Sequence, residues 1–214
     1  MRLFRTVVFL AVLLLIAGIG VAIWRGVGPL PDPEGCSAQV EGHSVSLDLG
    51  QGQVASLIAA IGVQRGLPAR AVSIALATAF QESKLRNLPS GDRDSVGIFQ
   101  QRPSQGWGTV AQIRDPVYAT NAFYDALAKV HGYETMRITE AAQLVQRSGY
   151  PQAYEAHAAD ARALASALTG YSGGGRFTCV VHDGNRHGTA HAVEASLRTG
   201  YGDVRAVQGP RQDV

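Results

Sequence analysis

The sequence predicts a mainly α-helical domain carried behind one N-terminal membrane-spanning helix. Three observations lead there: an uninterrupted apolar run from Thr6 to Trp24, helical periodicity over much of the remainder, and no convincing series of alternating strands. With 46% hydrophobic and 17% charged residues in 214, enough apolar material remains beyond the first run for one packed domain of moderate size.

The N-terminal run is about as long as the roughly 20 residues needed to cross a bilayer core. Arg2 and Arg5 precede it and Arg25 follows, a bias that puts the N-terminus inside and the bulk of the chain outside. A cleaved signal peptide is the competing reading. The run is long for a signal core, and no Ala-x-Ala-like site closes it, so a retained anchor over residues 1–25 is expected. Both readings export the domain. Cys36, just after Pro31 and Pro33, and Cys179, beyond the last strong helix, then suggest a disulfide tying the ends of the domain together in an oxidising space.

Residues 26–45 read as an extracellular linker, with a short strand over His43–Leu47 overlapping its end. The domain proper is expected over 46–170. Its first helix runs from about Gln51 to Arg65, with Val54, Leu57, Ile58 and Ile61 on one face, and Gly66-Leu67-Pro68 breaks it. The second, about Ala69–Ser83, is almost wholly apolar from Ala71 to Phe80 and should be a central buried helix. A turn-rich loop over Asn87–Ser95 leads to a short helical or extended piece, Val96–Gln101. Further helices are expected at about Val110–Gln112, Pro116–His131, Thr139–Arg147 and Pro151–Thr169, with prolines at starts that tolerate them. Residues 171–214 read as a polar tail, with one short helix around Thr189–Leu197.

Several function classes fall away on composition. A net charge of +2, with no basic cluster interleaved by aromatics, gives no case for nucleic acid. Gly173–Gly175 follows a helix end and reads as punctuation, so no cofactor is expected. His182, His187 and His191 could place two imidazoles on one helical turn, but no other ligands accompany them; they read as a solvated tail, and no metal is expected.

Chemistry points to Glu82. A carboxyl at the end of a buried apolar helix is costly unless paired, hydrogen-bonded or kept protonated, and a protonated carboxyl is what general-acid cleavage of a glycosidic bond requires. The plainer reading makes Glu82 the first solvated residue after the buried segment. The surrounding pattern is informative: Glu82-Ser83, the loop Lys84–Asp94, then Ser95-Val96-Gly97-Ile98-Phe99-Gln100, with Gly91-Asp92-Arg93 ahead. It resembles the lytic transglycosylase and goose-type lysozyme superfamily. The longer stretch to Gly108 is similar to exported actinobacterial lysozyme-like proteins.

That resemblance implies a lysozyme-like fold and a membrane-anchored glycosidase acting on the glycan strands of peptidoglycan. Glu82 would be the general acid and base, Ser95 would hydrogen-bond near the scissile sugar, Gly97 would let glycan and backbone approach closely, and Gln100 would line the cleft. Ser83 would brace the helix. A transglycosylase needs one carboxylate, since the substrate's own hydroxyl closes onto the anomeric carbon; a hydrolase needs a second, and Asp92 and Asp94 are the candidates. Their plainer role is a loop held by local ion pairs with Arg93.

Two positions depart from the family's patterns. Arg102 stands where goose-type enzymes carry an acidic residue. Where transglycosylases carry a Tyr-Asn-Ala-Gly segment, residues 142–150 place no tyrosine to brace the acid, although Gln143 or Gln146 could face the cleft. A non-catalytic relative that binds peptidoglycan as an adaptor is therefore the alternative. Trp107, in a Gly-flanked loop, is placed either to stack on a sugar or to anchor its loop. Tyr118, Phe123 and Tyr124 sit at core spacing, and Tyr150 and Tyr154 could rim the groove.

Overall fold

The computed structural model describes residues 2–24, 33–150, 152–171 and 173–181. The tail helix expected around Thr189–Leu197 and the three tail histidines lie outside them. The chain forms two compact units that divide after Pro33. The first holds helix α1, Arg2–Trp24, whose stretch Phe4–Ala22 has a mean hydropathy of 2.5 and is long and apolar enough to cross a membrane.

The second unit is mainly helical with a small sheet. After strands β1 (Gly35–Val40) and β2 (His43–Leu47) come helices α2 (Leu49–Gln64), α3 (Ala69–Ser83), α4 (Val110–Ile113), α5 (Pro116–Leu127), α6 (Ile138–Gln146) and α7 (Ala158–Thr169), then strand β3 (Arg176–Val180). Strand β1 is central, pairing antiparallel with β2 on one edge and β3 on the other. Register sets Cys36 opposite Cys179, and the two form a disulfide.

Helix α2 starts two residues earlier than its periodicity suggests because Asp48 caps it. The Asp48 carboxylate accepts from Gln51 N at 2.8 Å, and the Gln51 amide oxygen accepts from Asp48 N at 3.0 Å, a reciprocal capping box. Helix α3 is the core, with every residue from Ala71 to Phe80 buried. Its polar members stay satisfied within the helix: Ser73 donates to Ala69 O at 3.0 Å and Thr78 to Ile74 O at 2.8 Å. Small side chains on both α3 and α7 let these helices pack closely, and α7 in turn lies on the sheet.

Four expectations need correction. The linker reading of 26–45 fails at Gly35–Val40, a strand that buries only the small Cys36 and Ala38 and so carries little alternating signal. The polar-tail reading of 171–214 fails at Arg176–Val180, whose place in the sheet comes from pairing with β1 rather than from its own apolarity. Helix α5 stops at Leu127 instead of reaching His131. Lys129 N and Val130 N bond back three residues, tightening the chain into turns before Gly132 at φ 76°. The long helix expected over 151–169 is a 3₁₀ turn, Ala153–His157, followed by α7. Val96–Gln101 resolves as extended: Val96 bridges to Gln101, and Gly97 to Leu88.

Candidate functional site

Glu82 occupies the last turn of α3. Two consecutive left-handed residues, Lys84 and Leu85, both at φ 57°, end the helix there; Leu85 N reaches back to Ala79 O at 3.1 Å. Ser83 stitches this end to the following loop. Its hydroxyl donates to Ile98 O at 2.7 Å, lies 3.1 Å from Ala79 O, and accepts from Arg86 N at 3.1 Å. The bracing role expected of Ser83 is thus visible as a set of bonds.

The half-buried Glu82 carboxylate accepts a 2.8 Å hydrogen bond from the Tyr154 hydroxyl, and the Gln146 amide lies close enough to favour its charged form. No arginine or lysine pairs with it among the described residues. Burial pushes the Glu82 carboxyl above the usual glutamate range, while the bonds from Tyr154 and Gln146 pull the other way. Burial, reinforced by the neighbouring Glu82, in turn pushes the Tyr154 phenol up, so it remains a donor.

Tyr154 is the residue that sequence reasoning misplaced. Far from rimming a groove, it is fully buried and its hydroxyl bonds the Glu82 carboxylate. The only local signal is that Tyr154 and His157 lie three apart, on one side of a 3₁₀ turn. His157 stacks on Phe80, with centroids 5.5 Å apart, and its Nε2 lies 3.2 Å from Gln81 Oε1. The turn is therefore fastened to the end of α3 at three successive residues. Burial, then Lys84, lowers the His157 pKa, which favours the neutral imidazole. Tyr150, by contrast, is exposed.

Ser95 and Gln100 bond to each other, Ser95 Oγ donating to Gln100 Oε1 at 3.0 Å, and Gln100 Nε2 donates to Gly97 O at 3.0 Å. Gly91 lies against this pair: a Cβ there would sit 1.6 Å from Gln100 Oε1 and 2.5 Å from Ser95 Oγ. Gly97, at φ 80°, would place a Cβ 2.6 Å from Ile113 O, so the close approach it permits is to the backbone of α4.

The two aspartates are not joined to Glu82. Asp94 accepts from Ser104 N at 2.8 Å, Arg102 Nε at 2.8 Å and Ser104 Oγ at 3.0 Å, and these bonds hold its carboxyl far below the usual range. Arg102, not Arg93, is the partner of Asp94, because the loop folds back on itself at Pro103–Gln105. The Asp92 side chain is 93% exposed and its carboxylate lies 3.9 Å from Arg93 Nε.

Gln146 stands near Glu82 and also lines a groove whose lining residues do not include Glu82, Ser95 or Gln100. Its amide donates to Phe99 O at 2.7 Å, and with Trp107 it lines this groove of about 830 Å³. Trp107 O accepts from Tyr118 Oη at 3.2 Å, and the Trp107 side chain packs partly on the core, so the residue both anchors its loop and forms groove wall. Gln143 turns elsewhere, donating to Ser148 O at 2.8 Å. Phe123 and Tyr124 are core, with Phe123 stacked 4.5 Å from Phe99. The described residues contain no cluster of three or more metal-ligating side chains. No family model matches the chain, and no curated protein matches it.

Proposed function

We propose that the chain is a membrane-anchored lytic transglycosylase of lysozyme-like fold, cutting peptidoglycan glycan strands on the extracytoplasmic side with Glu82 as its only acid and base. One observation carries this reading: a half-buried carboxyl, with no cation paired to it among the described residues, braced by a buried tyrosine and close to Gln146, which itself lines a groove with Trp107 in its wall. Burial favours the protonated form needed to donate to the glycosidic oxygen. Once the bond breaks, the resulting carboxylate is stabilised by the same two donors and can accept a proton from the sugar hydroxyl that closes onto the anomeric carbon. The fixed engagement of Asp94 and the exposure of Asp92 favour this route over hydrolysis, which needs a second carboxylate near a water.

The disulfide and the apolar helix support an exported, tethered domain. A second reading, a peptidoglycan-binding adaptor, draws on the mutual Ser95–Gln100 bond, which occupies two groups a bound sugar would use. The test is digestion of purified sacculi by the full chain in detergent, with Glu82→Gln alongside. Anhydromuramyl products that vanish in the variant support the proposal. Reducing-end products would make it a hydrolase, and sedimentation with sacculi without any product would make it an adaptor.

A further inference from the structure

The groove beside Gln146 has a one-sided charge. Its lining includes the cationic Lys129 and Arg147 and the imidazole of His131, with no aspartate or glutamate among the lining residues. None of the three side chains makes an ion pair among the described residues. The chain as a whole is nearly balanced, with 19 Lys and Arg against 17 Asp and Glu, and Lys129 is one of only two lysines, so a wholly basic groove is not a consequence of composition.

The two cations, Lys129 and Arg147, come from two separate segments, the turns after α5 and the residue that ends α6. Arg147 is held there in a left-handed conformation at φ 53°, adjacent in sequence to Gln146, and both line the groove. Like charges on converging segments repel unless an anion lies between them. A neutral sugar chain stacked on Trp107 would leave them unanswered, and a muramic acid stripped of its peptide would offer only its single lactyl carboxylate. A branch carrying more than one carboxylate would answer them.

We infer that this groove takes the acidic stem peptide that hangs from the glycan strand, with Lys129 and Arg147 as its specificity-determining residues. The inference rests on the glycan reading above for the identity of the strand, but its test reads binding and needs no cleavage. The full chain in detergent, as Glu82→Gln, is titrated with three probes: a tetrasaccharide bearing stem peptides with free carboxylates, the same saccharide stripped of its peptides, and neutral chitotetraose.

The peptide-bearing probe binds about tenfold tighter than the stripped one at low salt, as expected for two partly exposed ion pairs. That preference shrinks in molar salt, where the screening length falls to about 3 Å. Adding Lys129→Gln and Arg147→Gln removes the preference while leaving the stripped probe's affinity unchanged. If the two strands bind alike, or the preference survives both substitutions, the inference fails and the glycan reading stands. If none of the three probes binds, the glycan reading falls and takes the inference with it.

Discussion

Tyr154→Phe tests the centre of the site, because it removes one hydroxyl from a buried position and almost nothing else. The lost bond is a 2.8 Å donation to the Glu82 carboxylate. A hydrogen bond to a charged group contributes about 1.5–3 kcal/mol and one between neutral groups about 0.5–1.5 kcal/mol. With Glu82 ionised, Tyr154→Phe should therefore cost about 2 kcal/mol; in a Glu82→Gln background, where the partner is a neutral amide, it should cost about 1 kcal/mol. For a domain of this size that is a fall in Tm of about 4–8 °C in the first case and about half that in the second.

The pH dependence has a defined sign. Burial raises the Glu82 carboxyl in the folded state, so the stability linked to its protonation is fully present below the unfolded glutamate range and is lost as pH rises through the folded value. Glu82→Gln, which cannot ionise, should gain on the wild type as pH rises through that window. Tyr154→Phe should extend the window upward, since the bond it removes favours the charged form. Thermal unfolding of the four chains of the cycle, followed by circular dichroism from acid to mildly alkaline pH, measures all of this. A Tyr154→Phe cost that is the same in both backgrounds and flat with pH would refute the reasoning, because Tyr154 would then act by packing alone.

Two further changes test the scaffold. Cys36→Ser with Cys179→Ser opens a loop with a sequence separation of 143 and should lower stability by about 5 kcal/mol on a chain-entropy argument, visible as a large fall in Tm matched by reductant on the wild type; a fall under 2 °C would mean the sheet holds without the bond. Gly91→Ala inserts a methyl group into the Ser95–Gln100 pair and should reduce sacculus digestion about 10- to 100-fold with much smaller loss of Tm, the reverse balance from a core substitution; unchanged digestion would show that this pair has no part in turnover.

Glu82 shows how far sequence carried the site. Its exposure to suspicion was local: an apolar helix that ends in a carboxyl is legible in fifteen residues, and α3 begins and ends where periodicity and Pro68 place it. The apolar span, the start of α5 at Asp115-Pro116 and the core role of Phe123 and Tyr124 were legible for the same reason, since each depends on spacing within one or two turns. Gly91 could have been found from the resemblance, as its triplet was noted, but not what it packs against.

What tertiary structure decided lies farther apart in the chain. Tyr154 reaches Glu82 across 72 positions, and β1 becomes the central strand of the sheet because β3 pairs with it at Cys36–Cys179 as β2 does on the other edge. Asp94 turned out to belong to Arg102 because the loop closes on itself, which removed it from the acid's vicinity as a chemical partner. Helices are written in the sequence because their hydrogen bonds and their apolar faces are local. The environment of a carboxyl is set by whichever distant side chains the packed core delivers to it, and no local pattern encodes that delivery.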